Sequence, residues 1–154
     1  MKLFALALLL ISSLSSISIQ TKPDWKDVVT SEDHNKTWKT YYDASNIERK
    51  VGGIVRVWLK QLPVTKTEAE KQRIVNAMIQ NRKLNNMSSK GYEKFAYSLT
   101  LVEFDCVGRQ GRSVAIRDFD QSEKLLGSDA KEDFPFAPVR EGSMSEVILE
   151  AVCK

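Results

Sequence analysis

The sequence predicts a single α+β domain built on an antiparallel sheet, and three observations lead to that prediction. Several segments are rich in β-branched and aromatic residues or alternate apolar with polar residues, and the longest covers residues 92–106. Two other segments, at about 67–84 and 144–153, carry apolar residues at three- and four-residue spacing, which is typical of helices. The chain contains two cysteines, Cys106 and Cys153, and a bond between them would tie the longest strand to the last helix.

The first 20 residues are expected to be a cleaved signal peptide. Lys2 precedes an apolar run over residues 3–11, and small polar residues follow that run, in the order of a secretory signal. A membrane anchor is the less favoured alternative, because a membrane-spanning helix needs roughly 20 apolar residues. The remaining residues, 21–154, have an ordinary length for one domain. Because exported proteins fold in oxidising compartments, the two cysteines favour a disulfide over two buried free thiols.

The first part of the domain is predicted to contain strands at 23–29, 37–43 and 54–62. The second of these is rich in residues that favour strands, with the sequence Thr-Trp-Lys-Thr-Tyr-Tyr-Asp. Polar residues at 31–36 separate the first two strands, and their composition indicates a turn.

The third predicted strand follows a hairpin signal, Gly52-Gly53. It alternates a Val-Val-Leu face with a face that carries Trp58 and basic residues, which is typical of a half-buried strand in an antiparallel sheet. We expect Trp58 to be buried, since burial is the commoner environment for tryptophan. We also expect Pro63 to end the strand, because proline cannot donate to the sheet ladder.

The segment at about 67–84 is predicted to be an amphipathic helix. Thr67 and Glu70 have the spacing of a capping box, which satisfies free N–H groups at a helix start. The polar face of this helix carries basic residues, among them Lys71 and Arg73. Those residues could meet an acidic partner, but an ordinary solvated helix surface is the preferred interpretation.

Residues 92–106 are predicted to form a central strand, because neither of the two alternating faces is strongly polar. A hairpin connection at 108–111 leads into a returning strand at 112–120. Brief strand pairing is expected at 124–127, followed by a polar loop at 128–133.

The end of the chain is predicted to be extended and then helical. Two prolines favour an extended conformation over 134–139. Ser143 and Glu146 form a second capping box, and a broad apolar stripe follows over 144–153. Such a short helix is marginal alone, so we expect it to pack on the sheet.

The charge balance and the residue inventory argue against several functions. The chain has 23 basic and 20 acidic residues, which gives no clustered footprint for a nucleic acid. Its one histidine, His34, lies in a polar turn, so no catalytic pair, ordinary zinc site or cofactor is expected. We therefore do not expect an enzyme.

Glu103 and Asp105 are the one candidate for a catalytic carboxylate pair, as in a small hydrolase. They share one face of the predicted central strand. The preferred interpretation is that these carboxylates are exposed or form ion pairs with nearby arginines. Those arginines are Arg109, Arg112 and Arg117.

Several short motifs occur in a fixed order that resembles the bacterial surface-adhesin protein E family. They are residues 42–47 (Tyr-Asp-Ala-Ser-Asn-Ile), 54–58 (Ile-Val-Arg-Val-Trp), 103–106 (Glu-Phe-Asp-Cys) with Arg109 and Arg112, 138–143 (Pro-Val-Arg-Glu-Gly-Ser) and 152–153 (Val-Cys). The resemblance covers almost the whole of the chain that follows the predicted signal peptide.

This resemblance implies a roughly six-stranded antiparallel sheet with a C-terminal helix on one face and a disulfide between Cys106 and Cys153. It further implies export to the periplasm or cell surface of a Gram-negative bacterium, and a homodimer through sheet edges. The implied activity is non-enzymatic binding of host matrix or serum proteins, through a sheet edge or through Arg109, Arg112 and Arg117. The alternative is a periplasmic structural or accessory module of an envelope or secretion complex, because the chain lacks the lipid-attachment cysteine of the outer-membrane adhesin.

Overall fold

The computed structural model describes residues 22–33, 36–130 and 133–154. The predicted signal peptide at 1–20 and His34 lie outside the described residues. In chain order the elements are β1 (Trp25–Asp33), β2 (Lys36–Asp43), β3 (Glu48–Arg49), β4 (Ile54–Val64), α1 (Glu68–Leu84), a 3₁₀ turn (Tyr92–Lys94), β5 (Phe95–Asp105), β6 (Gln110–Asp120), β7 (Leu125–Ala130), β8 (Ala137–Pro138) and α2 (Met144–Val152).

One antiparallel sheet forms the body of the protein, with its long strands in the order β1-β2-β4-β5-β6-β7. The two-residue strands β3 and β8 pair with β4 and β6. The predicted α+β class, the roughly six-stranded sheet and the C-terminal helix are confirmed. Since β5 pairs with β4 on one side and β6 on the other, the central position predicted for the longest strand is confirmed as well.

Two strands near the start of the chain are longer than predicted. The prediction of a turn from residue 31 is wrong, because Ser31 and Asp33 continue the ladder opposite β2. The prediction that Pro63 ends its strand is also wrong. Pro63 pairs with Trp38 of β2, but the pairing with β5 ends at Gln61, so the missing N–H interrupts no bond on the β5 side.

Two strands of the second half also differ from their predicted bounds. β5 begins later than predicted, because residues from Tyr92 form a 3₁₀ turn that Gly91 enters with a φ of 86°. That left-handed conformation favours glycine. β7 continues to Ala130 through residues predicted to be a loop, since Ser128 and Asp129 pair with β6.

Both helices begin at the predicted capping residues. The Thr67 hydroxyl accepts a hydrogen bond from the Glu70 N–H at 3.2 Å, and the Ser143 hydroxyl accepts one from Glu146 at the same distance. The Glu70 carboxylate accepts from the N–H of Lys66, one residue before the cap. Each cap therefore satisfies N–H groups that the first helical turn leaves without a partner.

The two helices lie on the same face of the sheet. Trp38 and Thr40 are two residues apart on β2, so their side chains share a face. Trp38 packs against the cluster beneath α1, whereas the Thr40 hydroxyl donates to the Met144 sulfur of α2 at 3.2 Å. Two buried clusters lie between the helices and the sheet. The cluster at α2 consists of Val55, Val57, Leu59, Val102, Phe104, Ile148, Leu149 and Val152, and the cluster at α1 consists of Val75, Tyr92 and Phe95.

A disulfide joins the end of the central strand to the end of α2, as predicted. The Cα atoms of Cys106 and Cys153 are 5.6 Å apart, and their sulfur atoms are bonded at 2.02 Å. Cys153 also caps α2, since its N–H donates to the Leu149 carbonyl. The bond therefore fixes the last turn of a nine-residue helix above the sheet.

Removing the disulfide is expected to lower the free energy of unfolding by about 4 kcal/mol, the chain-entropy value for a loop of 47 residues. Urea denaturation of wild type and of the Cys106→Ser/Cys153→Ser variant measures this difference. Wild type kept in reductant is the matched control and should unfold with the double variant. Equal urea midpoints for oxidised wild type and the variant would contradict this role of the bond.

Candidate functional site

The sheet face opposite the helices is formed by alternate residues of β4, β5 and β6, and no helix among the described residues covers it. Cross-strand pairing arranges these residues in four rows. The rows are Arg56, Glu103 and Arg112; Trp58, Leu101 and Ala115; Lys60, Leu99 and Arg117; and Tyr97 and Phe119. We call these eleven residues the open face.

A buried carboxylate organises the first row of the open face. The side chain of Glu103 is only 2% exposed, and three cations surround it. Its Oε1 atom accepts from Lys50 Nζ at 2.7 Å and from Arg56 Nε at 2.8 Å. Its Oε2 atom accepts two hydrogen bonds from Arg112, from Nε at 2.9 Å and from Nη2 at 2.6 Å. Both oxygens are therefore satisfied, which makes burial of this charge tolerable.

The cations also determine the protonation state of Glu103. Burial disfavours the charged carboxylate and by itself would raise its pKa. The hydrogen bonds from Lys50, Arg112 and Arg56 outweigh burial and lower the pKa to about 2. Glu103 is thus ionised near neutral pH and holds the side chains of three cations in place.

Lys50 and Arg56 share a single oxygen of Glu103, which leaves a positive surplus at this end of the open face. A second acid, Glu48, approaches Arg56 only to 4.0 Å and is half exposed. Arg112 is further fixed by the ring of Phe136, whose centroid lies 4.7 Å from its guanidinium carbon. The surplus charge therefore resides on side chains with ordered positions.

Aromatic rings support the cations of the third row. Lys60 Nζ lies 4.3 Å from the centroid of the Tyr97 ring, and the guanidinium carbon of Arg117 lies 5.0 Å from that of Trp58. These distances are within the range of cation–π attraction. Phe119 stacks on Tyr97 with ring centroids 5.1 Å apart. Within the part of the chain that the structure describes, neither Lys60 nor Arg117 forms an ion pair.

The three arginines predicted as protein-binding residues do not form one patch. Arg112 and Arg117 belong to the open face, but Arg109 lies in the β5–β6 hairpin. The Arg109 guanidinium contacts α2 instead, at 2.6 Å from Glu146 and 3.9 Å from Glu150.

An irregularity in β6 brings Arg112 and Arg117 to the same face. Residues five apart in a regular strand point to opposite faces. Here the pairing shifts between Leu101 and Val102, whose partners are Ala115 and Ser113, so that Val114 is an extra residue. A bulge of this kind reverses the alternation beyond it. Sequence alternation alone would place these two arginines on opposite faces.

Glu103 and Asp105 have separate partners, so the structure does not pair them for acid–base chemistry. The Asp105 carboxylate accepts backbone N–H groups of Val107 and Gly108 at 3.0 and 2.9 Å, and thereby holds the hairpin. Glu103 pairs with Arg112, as the preferred interpretation held, but also with Lys50 and Arg56. Arg56 and Trp58 are two residues apart on β4 and therefore share a face. That spacing was the sequence signal for the position of Arg56 on the open face.

The opposite, helix-bearing face contains two shallow cavities between α1 and α2. Their volumes are about 550 and 490 Å³, and both are lined by Gln61 and Thr100. Beside the second cavity, Asp118 accepts hydrogen bonds from the hydroxyls of Tyr92 and Ser98, both at 2.6 Å. Burial is the larger cause that raises the pKa of the Tyr92 hydroxyl, and its hydrogen bond to Asp118 raises the pKa further.

Residues 22–33, 36–130 and 133–154 lack two kinds of feature. No group of acidic, histidine or cysteine side chains there is arranged to hold a metal ion. No helix there combines the length and the apolar character that crossing a bilayer requires.

The fold and the open face together define a disulfide-bonded α+β protein with an extended, cation-rich surface. Comparison with protein families then identifies the group: the chain belongs to the surface-adhesin protein E family, whose model matches residues 25–154. Membership of this family indicates an exported or surface protein whose role is to bind other proteins. Neither curated proteins nor solved structures gave a significant match.

Replacing Glu103 by Gln is expected to destabilise the protein by roughly 3–5 kcal/mol at pH 7, because three cations lose their buried counter-charge. The folded-state pKa, about 2, lies below the ordinary value of 4.5, so the stabilisation is complete above about pH 4.5. It is lost as the pH falls toward 2. Urea denaturation at several pH values should therefore show the two proteins converging in acid.

The matched control for this experiment is Glu150→Gln. Glu150 is 62% exposed and lies 3.9 Å from Arg109, so its loss should change stability by less than about 0.5 kcal/mol. A difference between wild type and the Glu103 variant that stays constant from neutral pH to pH 2 would contradict the assignment.

Proposed function

We propose that the protein is a non-enzymatic adhesin of the bacterial envelope that binds host matrix or serum proteins. In this proposal residues 1–20 direct export and are removed, and residues 21–154 act as one binding domain. The observation that carries the proposal is the open face, which no helix of the described residues covers and which lies within the family match. Adhesion requires such an accessible surface.

The residue types of the open face support a role in protein binding. Trp58, Tyr97 and Arg117 belong to the three types that contribute most often to binding energy at protein interfaces. Trp58 and Tyr97 are half-buried, and their cation contacts fix their rings before any partner arrives. Ordered side chains lose less conformational entropy on binding. We therefore place the contact surface on the open face, which includes Arg112 and Arg117 but not Arg109.

A second candidate is a periplasmic structural or accessory module of an envelope or secretion complex. The disulfide favours this candidate, because Cys106 and Cys153 are bonded to each other and neither side chain is available to carry a lipid. Protease treatment of intact cells distinguishes the two. Cleavage on intact cells supports surface display, whereas protection together with release in the periplasmic fraction supports the module.

Wild-type protein is expected to bind at least one member of a panel of immobilised host matrix and serum proteins at about 0.15 M salt. The Trp58→Ala/Arg117→Ala variant should bind at least about tenfold more weakly, because it removes two residues of the types that dominate interface energies. Surface plasmon resonance measures both affinities, and thermal melting checks that the variant is folded.

The matched control is Arg73→Ala/Leu84→Ala. It also removes one arginine and one large apolar side chain, but both are exposed on α1. This variant should bind like wild type. Absence of wild-type binding to every member of the panel would overturn the adhesin proposal in favour of the accessory module.

A further inference from the structure

We infer that the open face binds an acidic, extended segment of the partner protein, in which two acidic side chains flank an apolar one at alternate positions. This inference rests on the proposed function and adds the chemistry of the partner. The charge, the row spacing and the ordered cations of the open face support this inference.

Positive charge is concentrated on the open face. Its eleven residues include four basic side chains and one acidic side chain, a net charge of +3. Without Lys2 of the proposed signal peptide, residues 21–154 have 22 basic and 20 acidic residues, a net charge of +2, so the rest of this domain has a net charge of −1. The face is therefore the place where an acidic partner gains most from electrostatic complementarity.

The rows of the open face alternate in chemistry with a spacing that an extended chain can match. Successive rows are two residues apart, or about 7 Å, so the cation rows of Arg56 and Lys60 are separated by about 13 Å. The apolar row of Trp58 and Leu101 lies between them. In an extended segment the side chains at positions i and i+4 share a face and are also about 13 Å apart, with position i+2 between them. The pattern acidic–x–apolar–x–acidic fits these three rows.

The cations of the third row are available to such a segment without breaking other ion pairs. Within the described residues, Lys60 and Arg117 contact aromatic rings but no carboxylate. A carboxylate of the partner can bind either cation from the solvent side while the ring remains beneath it. In the first row, Lys50 and Arg56 share one carboxylate oxygen, Oε1 of Glu103, and Glu48 approaches Arg56 only to 4.0 Å, so positive charge remains for a partner's carboxylate.

Two other occupants fit the open face less well. A sulfated polysaccharide would complement the cations but has no aliphatic side chain to pack on Leu101 between the two cation rows. A second copy of the chain, docked face to face, would place one +3 surface against another. Like charges facing each other disfavour that arrangement.

The test uses the full exported protein and a fluorescent peptide with two repeats of Glu-Thr-Val-Thr-Glu. Fluorescence anisotropy should show binding that weakens between about 0.15 and about 0.5 M salt, because exposed charges are screened. The Lys60→Glu/Arg117→Glu variant should bind at least about tenfold more weakly. A permuted peptide, two repeats of Glu-Val-Glu-Thr-Thr, has the same composition but no two glutamates four residues apart, and should also bind more weakly.

Two further variants control for net charge and for folding. Arg73→Glu/Lys83→Glu makes the same charge change on exposed residues of α1 and should bind the peptide like wild type. Arg117→Gln replaces one exposed side chain, so it should fold normally and still weaken binding by a smaller factor. Equal losses in the α1 variant and the open-face variant would overturn the inference, since binding would then follow net charge alone.

The remaining outcomes separate this inference from the proposed function. If heparin binds through Lys60 and Arg117 and the peptide does not, a polysaccharide is the ligand and the inference fails. If a host protein binds equally well to wild type and to the Lys60→Glu/Arg117→Glu variant, the adhesin proposal stands and the open face is not its acidic-segment site. If no host protein binds but the peptide does so with the expected spacing dependence, the inference stands and the host partner of the proposed function is wrong.

Discussion

The disulfide between Cys106 and Cys153 is the constraint on which the arrangement of this protein depends. It joins the central strand to a nine-residue helix that is too short to be stable alone. Once α2 is fixed, its residues Ile148 and Val152 are buried against the Val55–Val57 side of the sheet. The hydrophobic core therefore forms on one face, and α1 extends it along that face.

The other face has to be stabilised without a helix. There the sheet uses ordered charges and rings: a carboxylate with three cations at one end, and cations stacked on aromatic rings toward the other. These contacts shield the apolar rings of Trp58 and Tyr97 from water while they keep charged groups at the surface. The side chains that stabilise this face of the sheet are therefore the same ones that form the surface we propose for recognition.

Local patterns in the sequence were sufficient to predict much of this architecture. The helix caps at Thr67 and Ser143, the central strand and the disulfide all follow from residues close together in sequence or from the cysteine count. The partners of Glu103 were harder to predict from the sequence, because Lys50 lies 53 residues away and reaches Glu103 only through strand pairing. The bulge at Val114 left no signal in the residue pattern, since valine is equally suited to a regular strand. The common face of both helices likewise depends on the register between β2 and β4.

The extra residue in β6 has a consequence for how relatives of this chain are compared. A homologue with one residue fewer at Val114 would present its later β6 side chains on the reverse surface. The counterpart of Arg117 would then face the helices, and the counterpart of Asp118 would lose its contact with Tyr92 and meet solvent. Two members of the family could thus carry the same arginine in an alignment and yet display it on opposite sides, so that a single deletion would move the surface that we propose for recognition.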